Sequence, residues 1–270
     1  MMRIFFITEP ERNDNALLFL HIPKTGGQTF GKIIENQYQI SEVLKLRRHQ
    51  TMDELLSRIS KEQPTKIGCN VEHLERYLQQ TPGGDANISC AYGHMHFGLH
   101  RYLSKPFTYA TMLRDPVDRV ISHYYYFLGK GHFKKETSFE EFITTPKFFN
   151  FQTLYLSGGT APDLDVAKAN LNTYFPIVGI TELFEESTFL MKKEFGWNDI
   201  VYTKKNVTAV RPEKKQISKE ITELIIQHNK LDIELYQYAR KLLENKIQNL
   251  DSVSYQELQM YKKIQQENRG

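Results

Sequence analysis

Two apolar runs, each breaking into a short polar turn and then a helical pattern, constrain this chain more than any other feature. The first is Leu17-Leu18-Phe19-Leu20-His21-Ile22, followed by Pro23-Lys24-Thr25-Gly26-Gly27-Gln28-Thr29-Phe30. It reads as a buried strand feeding a tight loop whose backbone N–H groups stand at a helix N-terminus. Such a loop cradles an anionic phosphate, because unpaired amides and the helix dipole both favour negative charge. Gly26 and Gly27 allow close backbone approach, Lys24 brings a mobile cation, and Thr25 and Thr29 bring hydroxyl donors. The Walker order G-x-x-x-x-G-K-[ST] is absent, since Lys24 precedes the glycines.

The second run, Phe107-Thr108-Tyr109-Ala110-Thr111-Met112-Leu113, is rich in aromatic and β-branched residues and reads as a strand. It passes into Arg114-Asp115-Pro116-Val117-Asp118-Arg119-Val120-Ile121-Ser122. Pro116 suits the first turn of a helix, where a missing N–H costs nothing. Arg114 then stands at the strand's carboxyl end, with Ser122 about two turns into the helix. Open α/β sheets bind ligands at the carboxyl ends of their strands, so both anion-handling segments can share one crevice. Two separate grips suggest a nucleotide phosphorylated at two places.

Between and after these runs the pattern alternates. Strands are expected at Ile88–Tyr92 and Ile177–Ile180, and a short edge strand or ordered lead-in at Ile4–Ile7. Helices are expected over Thr51–Lys61, Val71–Gln80, from Pro116 to about Phe127, and over Glu185–Phe195. The stretch from Ser138 to Tyr174 reads as helical, broken at Pro146 and at Ser157–Pro162. One long amphipathic helix is expected from Ser218, and a last one from Ser254, with Ser254 and Glu257 as a capping box and Val253 and Leu258 as its staple. The expected fold is α/β: a P-loop-like, three-layer arrangement with a mainly parallel central sheet flanked by helices and extra helices at the C-terminus. A single domain over 1–270 is expected, its core at about 17–243 and a helical tail at about 250–268.

Together these segments resemble the sulfotransferase superfamily, in its carbohydrate branch of heparan sulfate 2-O- and 6-O-sulfotransferases and their bacterial relatives. The family's 5′-phosphosulfate loop is similar to His21–Phe30, and its 3′-phosphate motif to Arg114 through Ser122. Asn150–Gly158, Val178–Ser187 and Leu231–Tyr236 also resemble that group, the last as its closing helix. The resemblance implies a sulfotransferase moving a sulfuryl group from 3′-phosphoadenosine 5′-phosphosulfate (PAPS) to a hydroxyl acceptor, most readily a carbohydrate. It implies cofactor contacts at Lys24, Thr25, Gly26, Gly27, Gln28, Thr29, Phe30, Arg114 and Ser122, and in a late loop at Asn206, Thr208 and Arg211. Arg114 has an alternative as a structural ion pair with Asp115 or Asp118.

Sulfuryl transfer to a hydroxyl needs a base, and neutral imidazole suits that task near pH 7. Cys90-Ala91-Tyr92-Gly93-His94-Met95-His96 supplies two candidates at a strand end. The Gly-His pair is similar to the one carrying the base in the 2-O-sulfotransferase-like group, which makes His94 the expected base and His96 its rival. Lys24 is expected to stabilise charge growing on the leaving phosphate. His96, Gln152 and Tyr155 are expected to line the acceptor cleft, with the core as the alternative for an aromatic residue at this spacing. A zinc reading of His94, His96 and His100 lacks a signalled third ligand and second shell, and no metal is expected.

Composition trims the remaining classes. The chain has 270 residues, 40% hydrophobic and 12% aromatic, which argues for a folded protein. Thirty-five Lys and Arg against 32 Asp and Glu give +3, a balance that argues against a dedicated nucleic-acid binder. Cys69 and Cys90, its 2 cysteines, make no disulfide framework. No signal peptide or transmembrane run is legible, and a cytoplasmic, bacterial-type enzyme is expected. The C-terminal helices could support a homo-oligomer or simply pack. The rivals are an ATP-dependent kinase on a related fold and a non-catalytic nucleotide- or sulfated-glycan-binding module.

Overall fold

The structure is a computed structural model and describes residues 15–46, 68–69, 71–80, 83–131, 138–203 and 216–268. The expected edge strand at Ile4–Ile7 and helix at Thr51–Lys61 lie outside these residues. Six strands form one sheet: β1 (Ala16–Leu20), β2 (Val43–Leu46), β3 (Gly68–Cys69), β4 (Cys90–Gly93), β5 (Phe107–Leu113) and β6 (Ile177–Ile180). Their spatial order is β3-β2-β4-β1-β5-β6, and every pairing is parallel. All five residues of β1 are buried, as a parallel strand covered on both faces requires. Strands β2 and β3 were not anticipated. Both are short, and β2 carries Lys45 in its apolar run, where the amine is answered by Glu35 at 3.1 Å.

The helices that frame the site are α1 (Gly27–Gln37), α2 (Val71–Gln80), α3 (Pro116–Gly129), α4 (Phe139–Ile143), α5 (Phe151–Ser157), α6 (Leu164–Tyr174) and α7 (Phe184–Phe195). The main core joins the strands to Phe30, Ile34, Phe97, Tyr155, Met191 and Leu235. A smaller cluster of Val117, Ile121, Phe142, Phe148 and Ile225 lies between α3 and its helical neighbours.

The long helix expected from Ser218 is two: α8 (Lys219–His228) and α9 (Lys230–Gln248). Asn229 breaks it because its side chain is engaged elsewhere. The Asn229 amide donates to the Ile225 carbonyl at 2.8 Å, and its oxygen accepts from the Asn150 N–H at 3.0 Å. Asn150 returns the bond, accepting from the Leu231 N–H at 3.0 Å and the Asp232 N–H at 3.3 Å. This reciprocal clasp joins the start of α5 to the start of α9.

The last helix, α10 (Ser252–Glu267), begins two residues earlier than expected. Its cap is Asp251, which accepts from the Ser254 N–H at 2.8 Å and the Ser254 hydroxyl at 2.9 Å. The expected Ser254 capping box is therefore not formed. Val253 is 64% exposed and makes no staple. Carboxylate capping outcompetes serine because a charged acceptor binds N–H more strongly. The helix packs on α7 through Tyr261 and Thr188, whose hydroxyls are 3.0 Å apart.

Replacing Asn229 by alanine leaves the Asn150 N–H and the Ile225 carbonyl without their partners. We expect Asn229→Ala to lower unfolding free energy by about 2 kcal/mol in chemical denaturation, the scale of orphaned buried polar groups. A variant as stable as the wild type would show that the clasp contributes little.

Candidate functional site

Strand order decides the geometry. Leu20 at the end of β1 is in register with Gly93 of β4 on one side and Thr111 of β5 on the other. The segments after these three central strands therefore emerge side by side at one sheet edge. They are the Lys24 loop, the His94 segment and Arg114.

The Lys24 loop turns sharply into α1. Lys24 has φ 75° and Gly26 φ 84°, both in the left-handed region. No side chain caps α1 at Gly26, so the helix start faces the loop directly. Gly27 has a separate reason to be glycine. A Cβ there would stand 1.9 Å from Cδ2 of His21, whose ring occupies that space. Thr181 braces the turn, its hydroxyl lying 2.9 Å from the carbonyl oxygens of both Thr25 and Leu113.

Arg114 ties the two strand-to-helix turns together: its Nη1 donates to the Lys24 carbonyl at 3.2 Å. Asp115, considered as its ion-pair partner, accepts from the Asp118 N–H at 3.0 Å and caps α3. Ser122 is buried on that helix. The Lys24 amine stands 4.1 Å from the centroid of the Tyr126 ring, one turn beyond Ser122 on the same face.

His94 is held by its Nδ1, 2.9 Å from the His21 carbonyl oxygen. A carbonyl only accepts, so Nδ1 carries the hydrogen and a neutral His94 has its lone pair on Nε2. The two imidazoles lie 4.5 Å apart at 30°. Gly93 before His94 has φ 150°, and a Cβ there would come within 2.2 Å of the Leu46 carbonyl oxygen of β2. His96 packs instead on Tyr155, ring centres 4.4 Å apart. His100 packs on Phe107 and reaches the Tyr109 hydroxyl at 3.2 Å. Among the described residues no group of three or more His, Cys, Asp and Glu could hold a metal.

Most of the other expected site residues turn their side chains into the protein. The Thr25 hydroxyl donates to the Ile22 carbonyl at 2.9 Å and is fully buried. The Phe30 ring is core, 4.3 Å from that of Phe19, and its N–H donates to Gly26 at 3.2 Å. Gln28 is exposed and Thr29 buried. Gln152, expected at the acceptor cleft, is 0% exposed, and its amide bonds the backbone of Arg114. Tyr155 is likewise buried. These are core-facing because α5 turns its polar side inward, onto partners the local pattern cannot reveal. Asn206, Thr208 and Arg211 lie outside the described residues. His21, Tyr126 and Thr181 were missed as site residues, although the spacing of four between Ser122 and Tyr126 signalled a shared face.

Residues 11–148 match the profile of the Sulfotransferase family. The chain belongs to that family. Among its relatives is human (Homo sapiens) heparan-sulfate 6-O-sulfotransferase 2, 26% identical over 91% of this chain and 47% of that protein. The chain thus spans about half the length of that relative. Mouse (Mus musculus) heparan sulfate 2-O-sulfotransferase 1 is 24% identical over 86% of this chain and 71% of its own. A sulfotransferase crystal structure from Alicyclobacillus acidocaldarius is similar with a TM-score of 0.46 and 13% identity, over 84% of this chain and 95% of that one. No helix among the described residues of this chain is long and apolar enough to cross a membrane.

Burial holds the His21 imidazole well below its ordinary range, reinforced by nearby His94, Lys45 and Lys24. The unfolded chain gains a proton at this position near about pH 6.5 while the folded one does not, so stability falls as pH drops below that value. The slope from this one group reaches up to about 1.4 kcal/mol per pH unit. Denaturation between about pH 7.5 and about pH 5.5 should show a loss for the wild type that is smaller in His21→Gln. Equal slopes would mean that His21 takes up its proton in the folded state as readily as in the unfolded one.

Proposed function

We propose that this protein transfers a sulfuryl group from PAPS to a carbohydrate hydroxyl, releasing adenosine 3′,5′-bisphosphate. The observation that carries the reading is the bond from Arg114 to the Lys24 carbonyl, which joins the two anion-handling segments at one sheet edge. Family membership and relatives named for heparan sulfate O-sulfation support the acceptor class. The uncapped start of α1, with Gly26 turned left-handed before it, has the chemistry to hold a phosphosulfate.

In this reading the backbone of Gly26, Gly27, Gln28 and Thr29 cradles the 5′-phosphosulfate. Arg114 and Ser122 grip the 3′-phosphate, where guanidinium and hydroxyl form charge-assisted bonds. Asn206, Thr208 and Arg211 would cover the nucleotide. PAPS, when bound, supplies an electrophilic sulfur and a phosphate leaving group. His94 Nε2 accepts the acceptor hydroxyl's proton, while Nδ1 stays donated to the His21 carbonyl and steadies the ring as it becomes cationic. Lys24 leaves the Tyr126 face to neutralise charge on the departing phosphate oxygen. None of these steps draws on a metal.

Calorimetry tests the nucleotide assignment. Adenosine 3′,5′-bisphosphate should bind roughly ten- to a hundredfold more tightly than adenosine 5′-monophosphate, the scale of a charge-assisted contact. Equal affinities would remove the reading.

Kinetics tests the base. His94→Ala should keep nucleotide affinity and lose at least ~10²-fold in turnover, whereas His96→Ala should retain most activity. Activity on glycan acceptors should rise with pH as His94 loses its proton and becomes able to accept one. Loss of activity in His96→Ala with an active His94→Ala would exchange their roles.

A further inference from the structure

Arg114 stands one residue beyond β5, where the ladder ends at the pairing of Leu113 with Ile180. Its own N–H and C=O would lack strand partners there. A single side chain takes both. Oε1 of Gln152 accepts from the Arg114 N–H at 3.0 Å, and Nε2 of Gln152 donates to the Arg114 carbonyl at 2.9 Å. This amide imitates one residue of a neighbouring strand and fixes the peptide planes on both sides of the Arg114 Cα, hence the direction in which the guanidinium leaves the sheet.

Gln152 is held in turn. Its N–H donates to Asp232 Oδ2 at 3.0 Å, and the Thr153 N–H and hydroxyl donate to Asp232 Oδ1 at 2.7 and 2.8 Å. Asp232 sits in the first turn of α9, fully buried. Arg119 of α3 is also fully buried, and its Nε and Nη2 find no hydrogen-bond partner among the described residues. Burial pushes the Asp232 carboxyl up, while the Arg119 charge and the three donors pull it back toward ionisation. A carboxylate alone would cap α5. The cap does not need the Gln152 side chain, which is spent entirely on Arg114.

We propose that Gln152 is a positioning residue for Arg114, and that Asp232 acts behind it, so that the closing helix α9 sets how well the site distinguishes a 3′-phosphate. This rests on the sulfotransferase reading above. Neither residue touches the nucleotide in this scheme. Gln152 acts through the backbone of Arg114, and Asp232 through the backbone of Gln152 and Thr153.

The test is the ratio of affinities for adenosine 3′,5′-bisphosphate and adenosine 5′-monophosphate, measured by calorimetry alongside melting temperature. Gln152→Leu should lower bisphosphate affinity roughly tenfold and leave monophosphate binding as in the wild type. Asp232→Asn, which preserves shape, should shift the ratio in the same direction by less. Gln152→Glu keeps an acceptor for the Arg114 N–H and should recover part of the ratio; it also decides the matter if Gln152→Leu does not fold. Variants that melt earlier yet keep the wild-type ratio would overturn the positioning role and leave the enzymatic reading standing. A wild type that binds both nucleotides equally would overturn the reading itself, and this role with it.

Discussion

The hydrogen-bonded pairing of β1 with β4 and β5 is the constraint on which the rest depends. Because β1 lies between strands that come much later in the chain, the turns after all three meet at one edge. Parallel strands make this unavoidable, since every strand delivers its carboxyl end to the same side. His21 extends the pairing by one more bond, its N–H donating to the Gly93 carbonyl at 2.9 Å. The same residue then offers its own carbonyl to His94. A sheet hydrogen bond and the orientation of an imidazole thus share one residue, on either side of its Cα, and the ring is aimed from the end of the strand ladder.

Behind that edge lies a layer of buried polarity. Arg119 and Asp232 are both removed from water without a direct ion pair between them, a costly arrangement unless each charge is answered. Asp232 is answered by three donors. Arg119 has the Phe151 ring at 5.0 Å and Nδ1 of His123 at 3.4 Å from its Nη1, which leaves most of its donors idle. The burial lowers the guanidinium's proton affinity, and the Asp232 carboxylate first, then Tyr155, oppose this. The two charges therefore depend on one another across α3 and α9, so helices far apart in sequence are locked into a common placement.

What could be read from the sequence was what is encoded locally. Strands β1, β5 and β6 are apolar runs with turn residues behind them, and the Lys24 and Arg114 segments carry their residue types within a few positions. Strand β2 escaped because four residues containing a lysine show no clear period, and Lys45 is satisfied by Glu35 on α1. The break at Asn229 escaped for a different reason. Its partner Asn150 is 79 residues away, so a helical pattern continues straight through it. Gln152 followed the same logic: its position in a helix with Tyr155 suggested a cleft wall, whereas its bonding is to a backbone 38 residues earlier. The turns after the central strands were legible, and the residues that hold them in place were not.

Lys24 sits at φ 75°, a conformation that glycine adopts freely and lysine does not. Holding a side-chain-bearing residue there costs on the order of 1 kcal/mol. A glycine at this position would relax the turn and yield the sturdier loop, but one without a cation. The fold and the chemistry therefore pull in opposite directions at a single residue. Stability and charge are thus set against each other at this one backbone position, and the loop carries its cation at the expense of some rigidity.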